Sequence, residues 1–363
     1  MEKIKQLQAT LVEQNIDMAL VTTPDNIFYF SKFDSEPHER LLALAVFKEA
    51  EPFIICPAME VPDVKATGFP YEVVGHLDTE NAWDIVGNTI AKRNVQLQTI
   101  AIEKAQLTVE RYEVLQALYP AATFTRIDET VNAMRVIKSE AELEILRRAA
   151  AEADYAIQVG IDALAEGKTE MDVLNAIETA VKAKGYSMSF DTMVLFGEKS
   201  ASPHGIPGNK ALQAGDMVLF DLGVIVDGYC SDITRTVAFQ SVNDAQRAIY
   251  DAVLAANEAA IALVRPGVRA MDLDKAARDE ITAAGFGEYF THRLGHGLGI
   301  SVHEFPSIHG SNELALQQGM VFTIEPGVYK SDVTGVRIED DVVVTADGIE
   351  VLTKFTKELV IVK

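Results

Sequence analysis

The first third of the chain alternates helical patterns with short apolar runs. Residues 1–14 (MEKIKQLQATLVEQ) have the spacing of an amphipathic helix. Residues 108–120 (TVERYEVLQALYP) favour another helix, which ends at Pro120. Between them, β-like apolar runs bounded by turn or charged residues occupy 17–23 (DMALVTT), 41–47 (LLALAVF) and 52–57 (PFIICP). This pattern predicts a small α/β domain over residues 1–126.

The remaining residues, 127–363, contain an internal repeat. A long helix is predicted to begin at Ser139, which has capping-box spacing to Glu142. Beyond that helix, two segments recur in the same order: 166–190 resembles 266–290, and 211–224 resembles 315–328. The recurrence predicts two half-domains of like topology that form a pseudo-twofold pair around one cleft. The expected fold class is therefore α+β, with this duplicated domain preceded by the smaller α/β domain.

Composition and charge narrow the class of protein. The chain has 363 residues, 48% of them hydrophobic, which is enough for two folded domains. Its formal net charge of -22 would repel nucleic acid and anionic membrane surfaces, and its apolar runs are too short to span a bilayer. The N-terminal helix carries charges of both signs, unlike a signal peptide. Cys56 and Cys230 lack metal or redox spacing, which fits a reducing cytoplasm. We expect a cytoplasmic protein with small ligands, and neither nucleic acid nor membrane as a partner.

Carboxylates occupy matching positions in the two repeats. Asp221 aligns with Glu325, each lies inside an apolar run, and each is followed by a second acid, Asp232 or Glu339. A carboxylate in such a run is costly to bury unless it is paired or bound to a cation. For any one of these acids a salt bridge would be the simpler explanation. Four acids at repeat-related positions of an acidic chain instead favour divalent metal binding.

Two histidines lie close together in residues 295–306 (GHGLGISVHEFP). His296 is the candidate metal ligand, because the glycines beside it allow the backbone to approach a buried centre. His303 is better placed as an acid or a hydrogen-bond donor to a substrate. Four carboxylates, two of them bridging, and one imidazole suffice for two divalent ions about 3.5–4 Å apart that share an activated water. Oxygen-rich ligation with a single histidine favours manganese, and cobalt or zinc could substitute.

The ordered set of acids and His296 resembles the ligand set of the pita-bread metallopeptidases. The resemblance rests on residues 220–236 (FDLGVIVDGYCSDITRT), 295–306, 323–329 (TIEPGVY) and 335–344 (GVRIEDDVVV). That group includes Xaa-Pro dipeptidases (prolidases), Xaa-Pro aminopeptidases and methionine aminopeptidases. The first domain looks like the creatinase-type domain of the proline-directed members. In size the chain is most similar to the bacterial Xaa-Pro dipeptidases of the lactic-acid-bacterium type.

The resemblance implies a role for each matching residue. Asp221 would bind one metal ion, His296 and Glu325 the other, while Asp232 and Glu339 would bridge them. A water bridging the ions would attack the carbonyl before a C-terminal proline. Glu325 would also shuttle a proton. His303 and His204 (in SASPHG) would contact the substrate and its oxyanion, and Arg337 would orient a bridging carboxylate.

The chain departs from many prolidases shortly after the second histidine. Those enzymes have an arginine there that grips the free carboxylate of the substrate, whereas this chain has Ser307. Arg293 could supply the missing charge, although an exposed arginine without such a role is a serious alternative. The charged loop 34–40 (DSEPHER) is predicted to be solvated. In family dimers it could border the partner's cleft.

The leading function is hydrolysis of Xaa-Pro dipeptides in a homodimer, which the resemblance implies. One alternative is an Xaa-Pro aminopeptidase that acts on longer peptides, because the sequence does not show whether the site is closed beyond proline. Another is a non-catalytic peptide-binding module on the same fold, in which metal ligands would have been lost. All five ligand positions are present here.

Overall fold

The computed structural model describes residues 2–363 and divides into two compact units, Met1–Arg135 and Val136–Lys363. The sequence-based boundary at residues 126 and 127 stays a prediction, and the helix between Asp128 and Val136 lies almost wholly in the first compact unit. Met1, part of the predicted N-terminal helix, lies outside the described residues. None of the helices within residues 2–363 combines the length and the apolar character that crossing a membrane requires.

The first unit is an α/β domain built on one mixed sheet. Its strands run in the order β4-β3-β2-β1-β5-β6, and the three predicted apolar runs supply the central β1, β2 and β3. Their bounds, with the other strands, are β1 (Met18–Val21), β2 (Ala43–Phe47), β3 (Phe53–Pro57), β4 (Glu72–His76), β5 (Thr99–Ile102) and β6 (Thr123–Arg126). The helices are α1 (Glu2–Glu13), α2 (Pro24–Ser31), α3 (Val61–Ala66), α4 (Ala82–Ala91), α5 (Val109–Leu118) and α6 (Asp128–Val136). Within this unit the guanidinium of Arg40, in loop 34–40, forms a bidentate ion pair with Asp78 at 2.8 and 3.0 Å.

The second unit combines long helices with short antiparallel strands, which confirms the α+β class. Its helices are α7 (Glu140–Asp162), α8 (Glu170–Ala183), α9 (Asp244–Leu263) and α10 (Ala270–Ala283). Its strands are β7 (Ser187–Met188), β8 (Met193–Phe196), β9 (Met217–Leu222), β10 (Val224–Val226), β11 (Tyr229–Cys230), β12 (Ile233–Phe239), β13 (Gly295–Gly297), β14 (Glu304–Ile308), β15 (Val321–Ile324), β16 (Gly327–Lys330), β17 (Thr334–Arg337), β18 (Asp340–Val344), β19 (Ile349–Val351) and β20 (Ile361–Val362).

The predicted repeat is present in the three-dimensional structure. Helices α8 and α10 begin and end at positions one hundred residues apart, and each packs against the long helix before it. Strands β8, β9 and β12 are neighbours in one sheet, and β13, β15 and β18 are neighbours in the other. Each half has a buried hydrophobic cluster of its own. The duplicated sequence therefore builds two half-domains with the same order of helices and strands.

Helix α7 begins where the sequence predicts. The Ser139 side chain accepts the Glu142 amide, and the Glu142 carboxylate accepts the Ser139 amide at 2.9 Å, so both halves of the capping box are formed. Such a cap satisfies backbone donors that a helix N-terminus otherwise leaves unpaired. Alanines on one face, among them Ala149, Ala153 and Ala156, are fully buried. Their small side chains let α7 lie close to the sheet of the first half.

Candidate active site

Matching hairpins bring the four repeat-related acids to the ends of paired strands. Asp221 lies near the end of β9, and Asp232 directly precedes β12, its antiparallel partner. In the second half Glu325 directly follows β15, and Glu339 directly precedes β18. Because the partners are antiparallel, the end of one strand lies beside the start of the next. Each hairpin therefore presents two carboxylates together.

His296 reaches this cluster because the strand that carries it is flanked by glycines. Strand β13 pairs with β15 through Gly297 and Phe322. A Cβ added at Gly295 would lie 1.9 Å from the Thr323 carbonyl oxygen, and one at Gly297 would lie 2.3 Å from the Phe305 carbonyl oxygen. Only glycine permits such close backbone approach. The glycines next to His296 are thus required by packing.

The five predicted ligand residues converge. His296 Nε2 lies 3.4 Å from Glu325 Oε1 and 3.7 Å from Asp232 Oδ2. One ligand atom each from Asp232, His296 and Glu339 lie within 4.8 Å of one another. Asp221 is close enough to raise the pKa values of Asp232, Glu325 and Glu339 by charge repulsion. The cluster is buried, with Asp232 4%, His296 3% and Glu339 2% exposed.

The electrostatics of the cluster are those of a cation site. Burial, and then repulsion from neighbouring carboxylates, raises the pKa values of Asp232 and Glu339 well above normal; burial raises that of Glu325 to about 7. Burial lowers the pKa of His296 to about 3, which leaves its imidazole neutral and able to donate a lone pair. Two buried carboxylate oxygens, Asp232 Oδ1 and Glu339 Oε1, accept no hydrogen bond. Unpaired oxygens and mutually repelling acids are both relieved by divalent cations, so the residues fit such a ligand.

Arg337 links the carboxylates to one another through hydrogen bonds. Its Nη2 donates to Asp221 Oδ2, its Nε donates to Thr234 Oγ1 at 3.0 Å, and its Nη1 donates to Tyr329 Oη at 2.8 Å. Thr234 in turn donates to Glu339 Oε2 at 2.6 Å. One guanidinium therefore fixes Asp221 directly and Glu339 through a threonine.

Of the other predicted site residues, His303, Arg293 and Ser307 lie beside this cluster, whereas His204 is exposed. The ring of His303 stands edge-on to that of His296, with 4.1 Å between centroids. Arg293 is half-buried and its Nη1 donates to Ser307 Oγ at 3.3 Å. Burial and then the positive charge of Arg293 lower the pKa of His303, and the same charge offsets part of the rise that burial causes in the pKa of Glu325. The guanidinium of Arg293 is therefore near the site. The prediction that Arg293 and Ser307 act together is compatible with this geometry, whereas a fully exposed arginine is not what the structure has.

Sequence comparison assigns the chain to a family. Residues 144–346 match metallopeptidase family M24, and residues 3–137 match the creatinase/prolidase N-terminal domain. The chain belongs to metallopeptidase family M24. The resemblance to the pita-bread metallopeptidases is thereby confirmed, together with the creatinase-type first domain that the proline-directed members have. Membership of the M24 family also implies that the protein is a hydrolase that uses divalent metal ions.

Individual M24 proteins are similar to this chain along almost its whole length. The "Putative dipeptidase YkvY" of Bacillus subtilis is 50% identical over 362 residues, which are 99% of this chain and 100% of that protein. The solved structure of an Xaa-Pro dipeptidase from Bacillus anthracis has a TM-score of 0.92 and 34% identity, and the match covers 99% of both chains. An X-Pro aminopeptidase from Thermotoga maritima has a TM-score of 0.86 and 30% identity, over 96% of this chain and 98% of that one.

Three further residues join the hydrogen-bond network of this cluster, although the sequence did not predict them. They are Thr234, Tyr329 and His292. The Nδ1 of His292 lies 2.8 Å from the Arg293 carbonyl oxygen, to which it can only donate, so Nε2 accepts the Tyr329 hydroxyl at 3.0 Å. Burial lowers the pKa of His292 to about 4, which is consistent with this neutral form. Two of the three could have been found from the sequence. Tyr329 is the last residue of the TIEPGVY segment that contains Glu325, and His292 lies four residues before His296.

Proposed function

We propose that the protein is an Xaa-Pro dipeptidase, which hydrolyses the peptide bond before a C-terminal proline and releases proline. The observation that carries the proposal is the convergence of Asp232, Glu325 and Glu339 on a neutral His296. The fourth repeat-related carboxylate, Asp221, accepts a hydrogen bond from Arg337, which is linked to Glu339 through Thr234. Similarity to the Xaa-Pro dipeptidase of Bacillus anthracis over 99% of both chains supports the choice of substrate.

The same proposal assigns the metal ligands. Asp221 would hold one divalent ion, His296 and Glu325 the other, and Asp232 and Glu339 would hold both. When bound, the ions would supply a water of lowered pKa and polarise the scissile carbonyl. Manganese is the favoured metal, because oxygen ligands predominate over a single imidazole, and cobalt or zinc would substitute.

Glu325 and the outer histidines would handle protons and the substrate. Glu325 lies within reach of both the proposed ions and the substrate, so its carboxylate would take up the proton of the attacking water and deliver it to the leaving imino nitrogen. His303 lies beside His296 and, with His204, would donate hydrogen bonds to the carbonyl oxygen as it gains negative charge. Arg337 would keep Asp221 and Thr234 oriented.

Recognition of the dipeptide would depend on its free carboxylate. The imide nitrogen of proline carries no hydrogen, so a site cannot hold the peptide by that N–H. We assign the carboxylate to the Arg293 guanidinium, with Ser307 holding that side chain through its 3.3 Å hydrogen bond. Arginine suits this role, because its planar fork matches a carboxylate. Arg293→Ser should raise KM for Ala-Pro, and an unchanged KM would remove the assignment.

Comparison of a dipeptide with a tripeptide tests the function directly. Metal-free protein reconstituted with manganese should cleave Ala-Pro and leave Ala-Pro-Ala intact, with Ala-Ala as the control for proline preference. Cleavage of Ala-Pro-Ala would favour the second candidate function, that of an Xaa-Pro aminopeptidase. Similarity to the Thermotoga maritima X-Pro aminopeptidase supports this candidate. No hydrolysis of any peptide after metal addition would instead support a non-catalytic binding module.

The cellular setting and the assembly belong to the same proposal. We place the enzyme in the cytoplasm, where both buried cysteines would stay as free thiols. We also propose a homodimer, which light scattering on the purified protein would identify by a mass of twice 39.6 kDa. A monomeric mass at micromolar concentration would contradict the dimer and leave the proposed hydrolysis untouched.

A further inference from the structure

The carboxylate of Glu170 lies at the start of α8 and accepts three hydrogen bonds from one loop. Its Oε1 accepts the Phe196 amide at 2.9 Å. Its Oε2 accepts the Gly208 amide at 2.7 Å and the Lys199 ammonium at 2.5 Å. Glu170 is 0% exposed, although Lys199 is partly accessible. The chain therefore leaves this carboxylate at Phe196 and returns to it at Gly208.

Residues 197–208, here called the His204 loop, have a fixed base and an exposed tip. A turn closed by the Gly205 amide and the Ser202 carbonyl oxygen at 3.0 Å shapes the tip. The side chains of His204 and Ile206 are exposed, Ile206 to 81%. An exposed tip obtains few contacts of its own, so its position depends on where its base is held.

A second anchor holds the base against the hairpin that carries Arg337. Ser200 Oγ accepts the Gly335 amide at 2.8 Å and lies 3.1 Å from Thr334 Oγ1. A Cβ added at Gly335 would lie 1.9 Å from the Ser200 carbonyl oxygen, so the two backbones touch. The base of the His204 loop is thus fixed between Glu170 on one side and strand β17 on the other.

His204 stands at the tip of this loop, beside the turn closed by Gly205 and Ser202. The base of the same loop touches strand β17, which carries Arg337. The base that Glu170 holds therefore belongs to the loop that carries His204, and it lies against a strand of the site.

The internal repeat shows that the fold does not itself require a carboxylate at this position. The residue one hundred positions later, at the start of α10, is Ala270, which is equally buried. Nor does α8 need Glu170 as a cap, because Thr169 and Asp172 already form a complete capping box. A buried carboxylate is costly unless its oxygens are paired, and all its partners here lie in or next to the His204 loop.

We propose that Glu170 is a positioning residue for His204: by holding both ends of the His204 loop on one carboxylate, it sets where His204 meets the substrate. The inference rests on the proposed function, in which His204 contacts the substrate. It concerns a residue that touches neither the metal ligands nor the peptide. Its effect on catalysis should therefore pass through His204 alone.

A double-mutant cycle on the manganese-loaded enzyme tests this dependence. The Phe196 and Gly208 amides donate to different oxygens of Glu170, and glutamine has only one side-chain oxygen. Glu170→Gln should therefore lose one of these hydrogen bonds and the ion pair with Lys199, which frees one end of the loop. We expect Glu170→Gln to lower kcat/KM for Ala-Pro by about tenfold, a modest value for a displaced contact. His204→Ala should lower it at least as much, and the double variant should match His204→Ala.

Two control variants separate positioning from general destabilisation. Glu103→Gln removes a comparable buried carboxylate, 2% exposed, which accepts the Thr22 and Thr23 amides at 2.5 and 2.8 Å in the first unit. It should lower Tm without changing kcat/KM. Lys199→Met removes the ion pair but keeps both backbone hydrogen bonds, so it should have a much smaller effect than Glu170→Gln. Glu170→Asp, which keeps the charge on a shorter side chain, serves if Glu170→Gln does not fold.

Hydrogen exchange on the metal-free protein gives a readout that does not depend on activity. Glu170→Gln should speed exchange in peptides that contain the Phe196 and Gly208 amides, and Glu103→Gln should not. Unchanged exchange there, or multiplicative losses in the double variant, would overturn the positioning role. If His204→Ala itself left kcat/KM unchanged, the proposed substrate contact of His204 would fail, whereas the exchange result would still show whether Glu170 holds the loop.

Discussion

His296 and Glu325 are neighbours whose ionisation is shifted in opposite directions by the same cause. Burial disfavours charge on either side chain, so it lowers the pKa of the imidazole to about 3 and raises that of the carboxyl to about 7. Without cations, the folded state is most stable when the His296 imidazole and the Glu325 carboxyl are both neutral. A divalent ion reverses this preference for Glu325, because it needs the ionised carboxylate.

Metal-free Glu325→Gln should therefore gain stability relative to the metal-free wild type as pH rises. The folded pKa of Glu325, about 7, exceeds the ordinary value of 4.5, so its stabilising contribution is complete below pH 4.5 and is lost as pH rises through 7. Gln does not ionise, and each pKa unit corresponds to about 1.4 kcal/mol. Urea unfolding in EDTA at pH 5 and pH 8 would measure the difference. The exposed Glu13→Gln is the control, and a difference for Glu325→Gln that does not change with pH would contradict the shift.

Arg337→Met should weaken manganese binding by about ten- to a hundredfold, the usual cost of losing a group that orients ligands. The substitution removes the hydrogen bonds to Asp221, Thr234 and Tyr329 at once. Titration with free manganese monitored by electron paramagnetic resonance would give the affinity. Arg148→Met, which removes an exposed pair with Asp227, is the matched control and should bind manganese normally. Equal affinity in both variants would show that Arg337 does not orient the ligands.

Single residues were predictable from the sequence where the repeat marked them. Asp221 and Glu325 could be aligned because the same apolar run recurs around each. Thr234 could not be found this way, since its role depends on strand register, which sets it opposite Asp221 in the β9–β12 pair and within reach of Glu339. A threonine in a strand is ordinarily explained by β propensity, so the local pattern contains no signal for its bond.

At the level of elements, the site depends on how closely β13 approaches its neighbours. Gly295→Ala should lower stability by several kcal/mol or displace β13, because its Cβ would meet the Thr323 carbonyl oxygen at 1.9 Å. Manganese affinity should fall with it, since His296 is the next residue. The matched control is Gly87→Ala in α4, whose new Cβ would be 3.8 Å from Leu118 and which should be neutral or stabilising by up to about 1 kcal/mol. Thermal melts with and without manganese would compare the two. Normal stability and metal binding in Gly295→Ala would contradict the packing argument.

The elements that the sequence predicted well are those with a strong pattern. Helix α7 begins at its capping box, and α8 and α10 recur at the predicted offset, because amphipathic periodicity and caps are local properties. The short strands β7, β10 and β11 were not predicted. They contain two or three residues each and exist through pairing with one another, which no local window can show.

For the whole molecule, the net charge is the property that should affect stability most widely. A formal charge of -22 opposes the compact state through self-repulsion, and dissolved salt screens that repulsion. The Tm of the metal-free protein should therefore rise by several degrees between about 10 and 150 mM sodium chloride, because the screening length falls from about 30 Å to about 8 Å over that range. Glucose at equal osmolarity is the control, because it is uncharged and does not screen electrostatic repulsion. A Tm that falls with salt would show that attractive ion pairs outweigh the repulsion.

The central claim is that four carboxylates from two repeated hairpins, together with His296 from the neighbouring strand β13, hold two divalent ions. Anomalous diffraction from crystals grown with manganese tests it most directly. We expect two peaks about 3.5–4 Å apart in each chain, in contact with Asp221, Asp232, His296, Glu325 and Glu339. A matched crystal of Glu339→Gln should show weaker or single occupancy. Peaks elsewhere on the acidic surface, or none within reach of His296 in the unsubstituted protein, would contradict the account.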